Sequence, residues 1–523
     1  MKNILLTLLL IGVYGTAMAQ EQQPAAALDL KMPDYTPASP NAFALTKYGD
    51  IPINEFTGMV TANIPVYTYK AGKLEVPITL NYTGAGVKVN QTASWTGINW
   101  TLNAGGVITR TIHDKPDESE YLDGRITGDM IDPAGFLNGS QYGAWLNMIF
   151  AKLRRVYDVK PDEYSFSFPG YSGNFFMDDN FIPRLVKADS NLKIEIVGTE
   201  TDLKARLRQS KEFCITTPDG VKHYFGGENA TETTFPGTTH DNPYSPTGLY
   251  LTRMEHPDYG TVYFDYETDP VNRHIRLDQG ERVTIIEYEL TEPNMECVRP
   301  PTDEGHSYFA NGVIVSNGKH LSKIRSANNY IEVSFGTSAG SPFNYTKVLN
   351  NIVVKNGSNI LHKVDLSYLF PQTATTSERF FLNKVEFNKD KNYGSGGRKY
   401  EQYVMDYNDP LALPNSRMSQ ATDTYGYYNG KISNTTALPQ NNDILFHNYY
   451  PNLADRSSDF TYAVKGSLKK ITFPTGGYTE FEYEAPKAKD YVKGAVNINI
   501  WRNSPSRIPA TRTTASAPLG DLV

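Results

Sequence analysis

The feature that most constrains this chain is a unit that recurs in its second half. A Leu-x-x-apolar step runs into a turn and then into a strand with alternating aromatic residues. Leu251 and Met254 lead through the turn Pro257-Asp258-Tyr259-Gly260 to Val262, Phe264 and Tyr266. Leu321 and Ile324 lead through Asn328-Asn329 to Ile331, Val333 and Phe335. Leu468 and Ile471 lead through Pro474-Thr475-Gly476-Gly477 to Phe481 and Tyr483. A looser copy joins Leu349 and Ile352 through Asn356-Gly357 to Val364, Leu366 and Tyr368. Period-two alternation on both sides of a turn is the signature of a β-hairpin. The leucines are irregularly spaced, so no fixed-period solenoid or propeller is indicated. A single hairpin is not stable in water, so these must pack on one another as a meander.

The first half follows the same β grammar. Leu74, Val76, Ile78 and Leu80 alternate with Glu75, Pro77 and Thr79. Pro77, which cannot donate to a ladder, predicts an edge strand. Asp162 to Phe168 alternates strictly, and Asn174 to Met177 forms a second strand capped by the turn Asp178-Asp179-Asn180. Composition agrees: Gly 41, Pro 32 and Tyr 35 fit many short strands and turns and disfavour bundles and helix-alternating enzymes. One stretch differs. Tyr142, Trp145, Leu146, Ile149, Phe150, Leu153 and Val156 line one face of a helix expected to pack on a sheet. The fold class expected is mainly β: a β-sandwich-like N-terminal region, then an antiparallel hairpin meander, with one amphipathic helix near 142–156.

Residues 1–19 read as a cleaved signal peptide, with Lys2, an apolar run from Ile4 to Val13, and Ala17-Met18-Ala19 before the cut. An extended leader follows at 20–45, a β-rich region at 46–190, the hairpin region at 191–485 and an irregular tail at 486–523. No later run is long and apolar enough to span a bilayer as a helix, so a secreted or cell-surface location is expected. A disulfide between Cys214 and Cys297 is permitted by export but not dictated by spacing. The net charge of −7 argues against a nucleic-acid partner.

The densest motif runs Tyr82-Thr83-Gly84-Ala85-Gly86-Val87-Lys88, then Ala93-Ser94-Trp95-Thr96-Gly97-Ile98-Asn99-Trp100, then Ala104-Gly105-Gly106 and Ile108-Thr109-Arg110. It resembles the amino-terminal region of secreted RHS/YD-repeat proteins of Bacteroidetes. More distantly it is similar to the SpvB-type domain of toxin-complex B components. Pro161 to Phe166, Pro218 to Gly226, Tyr425 to Gly430 and Phe473 to Gly477 look like further landmarks in the same order. The resemblance implies a β-rich structural part, with any toxic enzyme at the far C-terminus. Relatives continue into long RHS repeats, so a truncated gene is an expectation here.

The sequence offers little chemistry. It contains no P-loop, nucleophile elbow or HExxH. Gly394-Ser395-Gly396-Gly397-Arg398 reads as a hairpin loop, and His113, Asp114, Asp117 and Glu118 as a solvated turn after Arg110. No catalytic, cofactor or metal residue is assigned. The residues singled out are structural: Gly84, Gly86, Trp95, Gly97, Trp100, Gly105, Gly106 and Arg110, with Trp95 and Trp100 expected as a buried pair. The leading expectation is an exported non-enzymatic scaffold, related to the N-terminal module of an RHS shell or presenting a C-terminal cargo. A surface glycan-binding or adhesion protein is the alternative, with cell-surface components, glycans or the rest of an RHS-type shell as partners. A secreted hydrolase ranks third.

Overall fold

The computed structural model describes residues 53–54, 58–113, 116–118, 161–187, 191–236, 245–269, 273–282, 307–327, 329–340, 343–370, 379–388, 401–439 and 453–485. The signal peptide, the leader, the 142–156 helix, Cys297, the Gly394–Arg398 loop and the tail lie outside them. The described residues are mainly β, in large antiparallel sheets.

The first sheet runs β1 (Ile53–Asn54), β2 (Met59–Ala71), β3 (Leu74–Gly84) and β4 (Trp100–Asn103) in that order. Alternation decides which face of β3 is buried. Leu74, Val76, Ile78, Leu80 and Tyr82 all point into the core. The expectation of an edge strand at Pro77 is corrected. Strand β3 pairs with β2 along its length and with β4 from Thr79 to Tyr82, so it is interior. Pro77 is tolerated because it lies outside the stretch that β4 covers.

The remaining strands are β5 (Val107–Thr111), β6 (Glu163–Phe168), β7 (Tyr171–Met177), β8 (Pro183–Leu185) and β9 (Lys193–Ile196). Helix α1 (Leu203–Ser210) follows, capped by Asp202, whose carboxylate accepts from the backbone N–H groups of Lys204 and Ala205. Then come β10 (Glu212–Thr216), β11 (Lys222–Gly226), β12 (Thr231–Pro236), β13 (Ser245–His256), β14 (Gly260–Thr268), β15 (Arg273–Arg282) and β16 (Ser307–Ser316). The hairpin region continues with β17 (Lys319–Ser326), β18 (Asn329–Gly340), β19 (Phe343–Asn356), β20 (Asn359–Leu369), β21 (Phe381–Phe387) and β22 (Glu401–Tyr407). A single-turn helix α2 (Phe460–Ala463) precedes β23 (Leu468–Thr472) and β24 (Tyr478–Glu480).

Strand β13 organises these ladders because it belongs to two sheets. Its first half lies between β12 and β5, extending through β6, β7 and β8 on one side and through β16 and β15 on the other. Its second half lies between β11 and β14. From β14 a continuous antiparallel run passes through β17 to β24 in chain order. The β5–β13 ladder crosses position 190, so the two β-rich regions share one sheet. One apolar cluster threads all three sheets, from Val60 to Phe481.

The hairpins carry a device that their alternation alone does not reveal. In four of them the hydroxyl of a tyrosine donates to the carbonyl of an earlier leucine. The pairs are Tyr266 to Leu251 at 2.8 Å, Tyr368 to Leu349 at 2.6 Å, Tyr407 to Leu382 at 2.7 Å and Tyr483 to Leu468 at 2.7 Å. The ladder to the following strand is bulged immediately before Tyr266, Tyr368 and Tyr407. A bulge re-aims a side chain, which here turns each ring back over its own hairpin. Desolvation raises all four phenols well above their ordinary value, so each remains a neutral donor.

Candidate functional site

The glycine-tryptophan segment links the first sheet to the last hairpins. Trp100 opens β4 and is fully buried. Its indole N–H donates to Tyr407 Oη at 2.8 Å. The Leu468 backbone N–H donates to Tyr82 Oη at 3.3 Å, and the Ile98 N–H to the Phe380 carbonyl at 2.9 Å. Lys88 bridges to Tyr427, and the Val89 N–H donates to the Gly426 carbonyl at 2.9 Å. Gly97 sits at φ +104, where a Cβ would lie 3.0 Å from the Leu382 nitrogen and 3.3 Å from the Phe380 oxygen. Only glycine combines that torsion with that approach. Gly106 meets Phe168 more closely still: a Cβ there would lie 2.6 Å from the Phe168 Cβ. Gly84 ends β3, Gly86 lies against the Tyr427 ring, and Gly105 faces Phe264.

Arg110, on β5, is the second organising residue. Its guanidinium is buried and grips two carboxylates. Nη1 and Nη2 meet Glu118 Oε1 at 2.9 Å and Oε2 at 2.5 Å, while Nε and Nη2 meet Asp162 Oδ2 at 2.9 and 2.5 Å. Its Cζ lies 5.3 Å from the Tyr164 ring centroid. Asp162 also accepts from the His113 and Asp117 backbone N–H groups, and Asp117 accepts in return from the Asp162 N–H. Burial would raise the Glu118 carboxyl, but the Arg110 hydrogen bonds and charge outweigh it and hold it below the usual value. The expected solvated turn at 113–118 is therefore corrected. Asp117 is buried and Glu118 is bound to Arg110, because a buried arginine needs compensating charge. Asp114 lies outside the described residues.

The two tryptophans part company. Trp95 is half-buried, not one of a buried pair, and lines a cleft of about 500 Å³. The cleft lies between the outer part of β4, the β4–β5 connection and the strands around β13. Tyr250 and Tyr266 stand in its wall with ring centroids 5.5 Å apart. The Trp95 ring packs on His320 at 5.1 Å, and His320 Nε2 lies 3.4 Å from Asp269 Oδ2. Tyr250 Oη lies 3.4 Å from Glu232 Oε2. Asn81, Asn103 and Lys319 complete its polar side. Of these residues the sequence marked Trp95 in the glycine-tryptophan motif and Tyr266 in a hairpin, and placed neither beside a cleft. Asp269 and His320 are 51 positions apart, and no linear spacing joins them.

Other sequence candidates resolve as packing. Asp178 accepts from the Asn180 and Ile182 N–H groups and from Arg184, as a turn should. Asp423 likewise accepts from the Tyr425 and Tyr427 N–H groups. Cys214 is a free, buried thiol. Among the described residues, no group of three or more His, Cys, Asp or Glu side chains is arranged to hold a metal ion, and no helix is long and apolar enough to cross a membrane.

No family model matches the chain, and no curated protein matches it. Solved structures show a distant likeness. The Tc holotoxin pore of Photorhabdus luminescens aligns at 12% identity with a TM-score of 0.34, covering 67% of this chain and 16% of that one. The crystal structure of TcdB2-TccC3-TEV aligns at 12% identity and 0.35, covering 69% and 16%. The N-terminal domain of effector protein SpvB from Salmonella typhimurium strain LT2 aligns at 10% identity and 0.29, covering 62% and 98%. The alignments thus reach 16% of the length of each of the two toxin chains.

Proposed function

We propose that the chain is an exported, non-enzymatic β scaffold. It would work as the amino-terminal module of an RHS-type secreted protein does, closing one end of a β assembly or presenting a C-terminal cargo at the cell surface. The observation that carries this reading is the clasp formed by the 82–106 segment. Trp100 is bonded to Tyr407, 307 positions away, and Tyr82 to Leu468, 386 positions away. Long-range closure of this kind makes the last hairpins depend on the first sheet. A segment attached after β24 would then be held on a pre-formed edge. Distinctive residues of the motif are spent on that closure: Gly97, which permits close approach, and the buried Trp100 indole.

The test is to append a peptide epitope after Val523 in the native host and treat intact cells with protease. The reading expects the epitope to be cleaved on intact cells and the β region to resist. An epitope cleaved only after lysis refutes surface presentation. Cleavage throughout the β region before the epitope is lost refutes the scaffold.

A further inference from the structure

We propose that the cleft beside Trp95 binds a neutral saccharide, a mono- or disaccharide segment of a glycan. This goes beyond the scaffold reading and stands without it. The volume of about 500 Å³ falls in the range for small-ligand sites, about 300–1,000 Å³. Its walls combine the two chemistries that a pyranose requires. Trp95, Tyr250 and Tyr266 supply aromatic surface, whose electron-rich ring faces suit the C–H side of a sugar ring. Glu232 and Asp269 can accept from hydroxyls, Lys319 can donate to them, and the amides of Asn81 and Asn103 can do both.

Charge selects against other occupants. Two carboxylates face the space against one lysine and His320, so it holds no net positive charge to draw in a phosphate or carboxylate ligand. A purely apolar ligand would strip solvent from Glu232 and the exposed Asn103 amide and offer no hydrogen bond in exchange. A polyhydroxylated neutral ring satisfies both conditions. Trp95 is also braced for a stacking role. Its carbonyl accepts from the Leu349 N–H at 2.9 Å, and its ring rests on His320.

The experiment is saturation-transfer difference NMR on the full chain with maltose, cellobiose, lactose and N,N′-diacetylchitobiose. Competition with inorganic phosphate serves as an anion probe. Two variants accompany the wild type. Trp95→Ala removes the platform, and Asn103→Arg, at an exposed strand position on the rim, fills the cleft without touching the core. The expected result is saturation of ring protons on at least one of the four sugars, reduced at least tenfold by either variant. The melting temperature of Asn103→Arg should be unchanged. The proposal is overturned by no transfer to any of the four sugars, by transfer that survives Asn103→Arg, or by displacement of every sugar by phosphate.

Discussion

Replacing Tyr407 with Phe should cost more than the same change at any other hairpin tyrosine. The hydroxyl of Tyr407 donates to the Leu382 carbonyl at 2.7 Å and accepts from the Trp100 indole N–H at 2.8 Å. Trp100 is fully buried, so water cannot replace the lost acceptor. Each buried polar group left without a partner costs about 1–3 kcal/mol. Tyr407→Phe takes the partner from two, for an expected loss of about 2–6 kcal/mol. For Tyr266→Phe and Tyr483→Phe, one leucine carbonyl bond is lost, for about 1–3 kcal/mol each. Urea titration of the three variants, with unchanged slopes, gives the comparison directly. A double-mutant cycle isolates the clasp. Trp100→Phe removes the indole donor, so the double variant should cost at least about 1 kcal/mol less than the sum of the singles. If Tyr407→Phe is no worse than Tyr266→Phe, or if the cycle is additive within about 0.5 kcal/mol, the clasp does not couple the first sheet to the last hairpins.

Other consequences can be measured in the same way. Arg110→Met leaves Asp162 and Glu118 buried without their cation and should destabilise by about 3–5 kcal/mol, read from the urea midpoint. The added methyl of Gly106→Ala has to displace Phe168, at about 1–3 kcal/mol, seen as a lower melting temperature. His223 is 5% exposed, packed 4.6 Å from the Phe168 ring, and burial lowers its pKa from 6.5 to about 4. It stays neutral in the fold, while the unfolded chain takes up a proton below its ordinary value. The stability it permits is present above pH 6.5 and lost as pH falls toward 4, by about 3 kcal/mol in all. His223→Phe should flatten urea stability against pH across that window, and an unaltered slope would contradict the assignment.

Some of this structure was legible residue by residue. The Leu74–Tyr82 alternation, the Asp162–Phe168 strand and the hairpins at 251, 321, 349 and 468 follow from local periodicity and turn chemistry. Pro77 misled, because its missing N–H forbids only the ladder it would donate to, and β4 stops short of it. The tyrosine tie went unread. Its offsets of 15, 19, 25 and 15 residues vary with turn and strand length. Only the leucine before and the tyrosine after the turn in the units at 251, 349 and 468 hinted at it.

The division between what the chain alone determined and what its folding decided has a physical basis. Side-chain alternation, glycine torsion and turn preference act over a few residues, so the β class and the hairpins were written locally. The cleft and the Arg110 network depend on which strands become neighbours. Strand β13 serves two sheets and brings Tyr250 beside Tyr266, and the β14–β17 pairing sets Asp269 against His320. The sequence marked Trp95 and Trp100 alike. Only tertiary packing made one the sealed centre of a clasp and left the other at the edge of an open cleft.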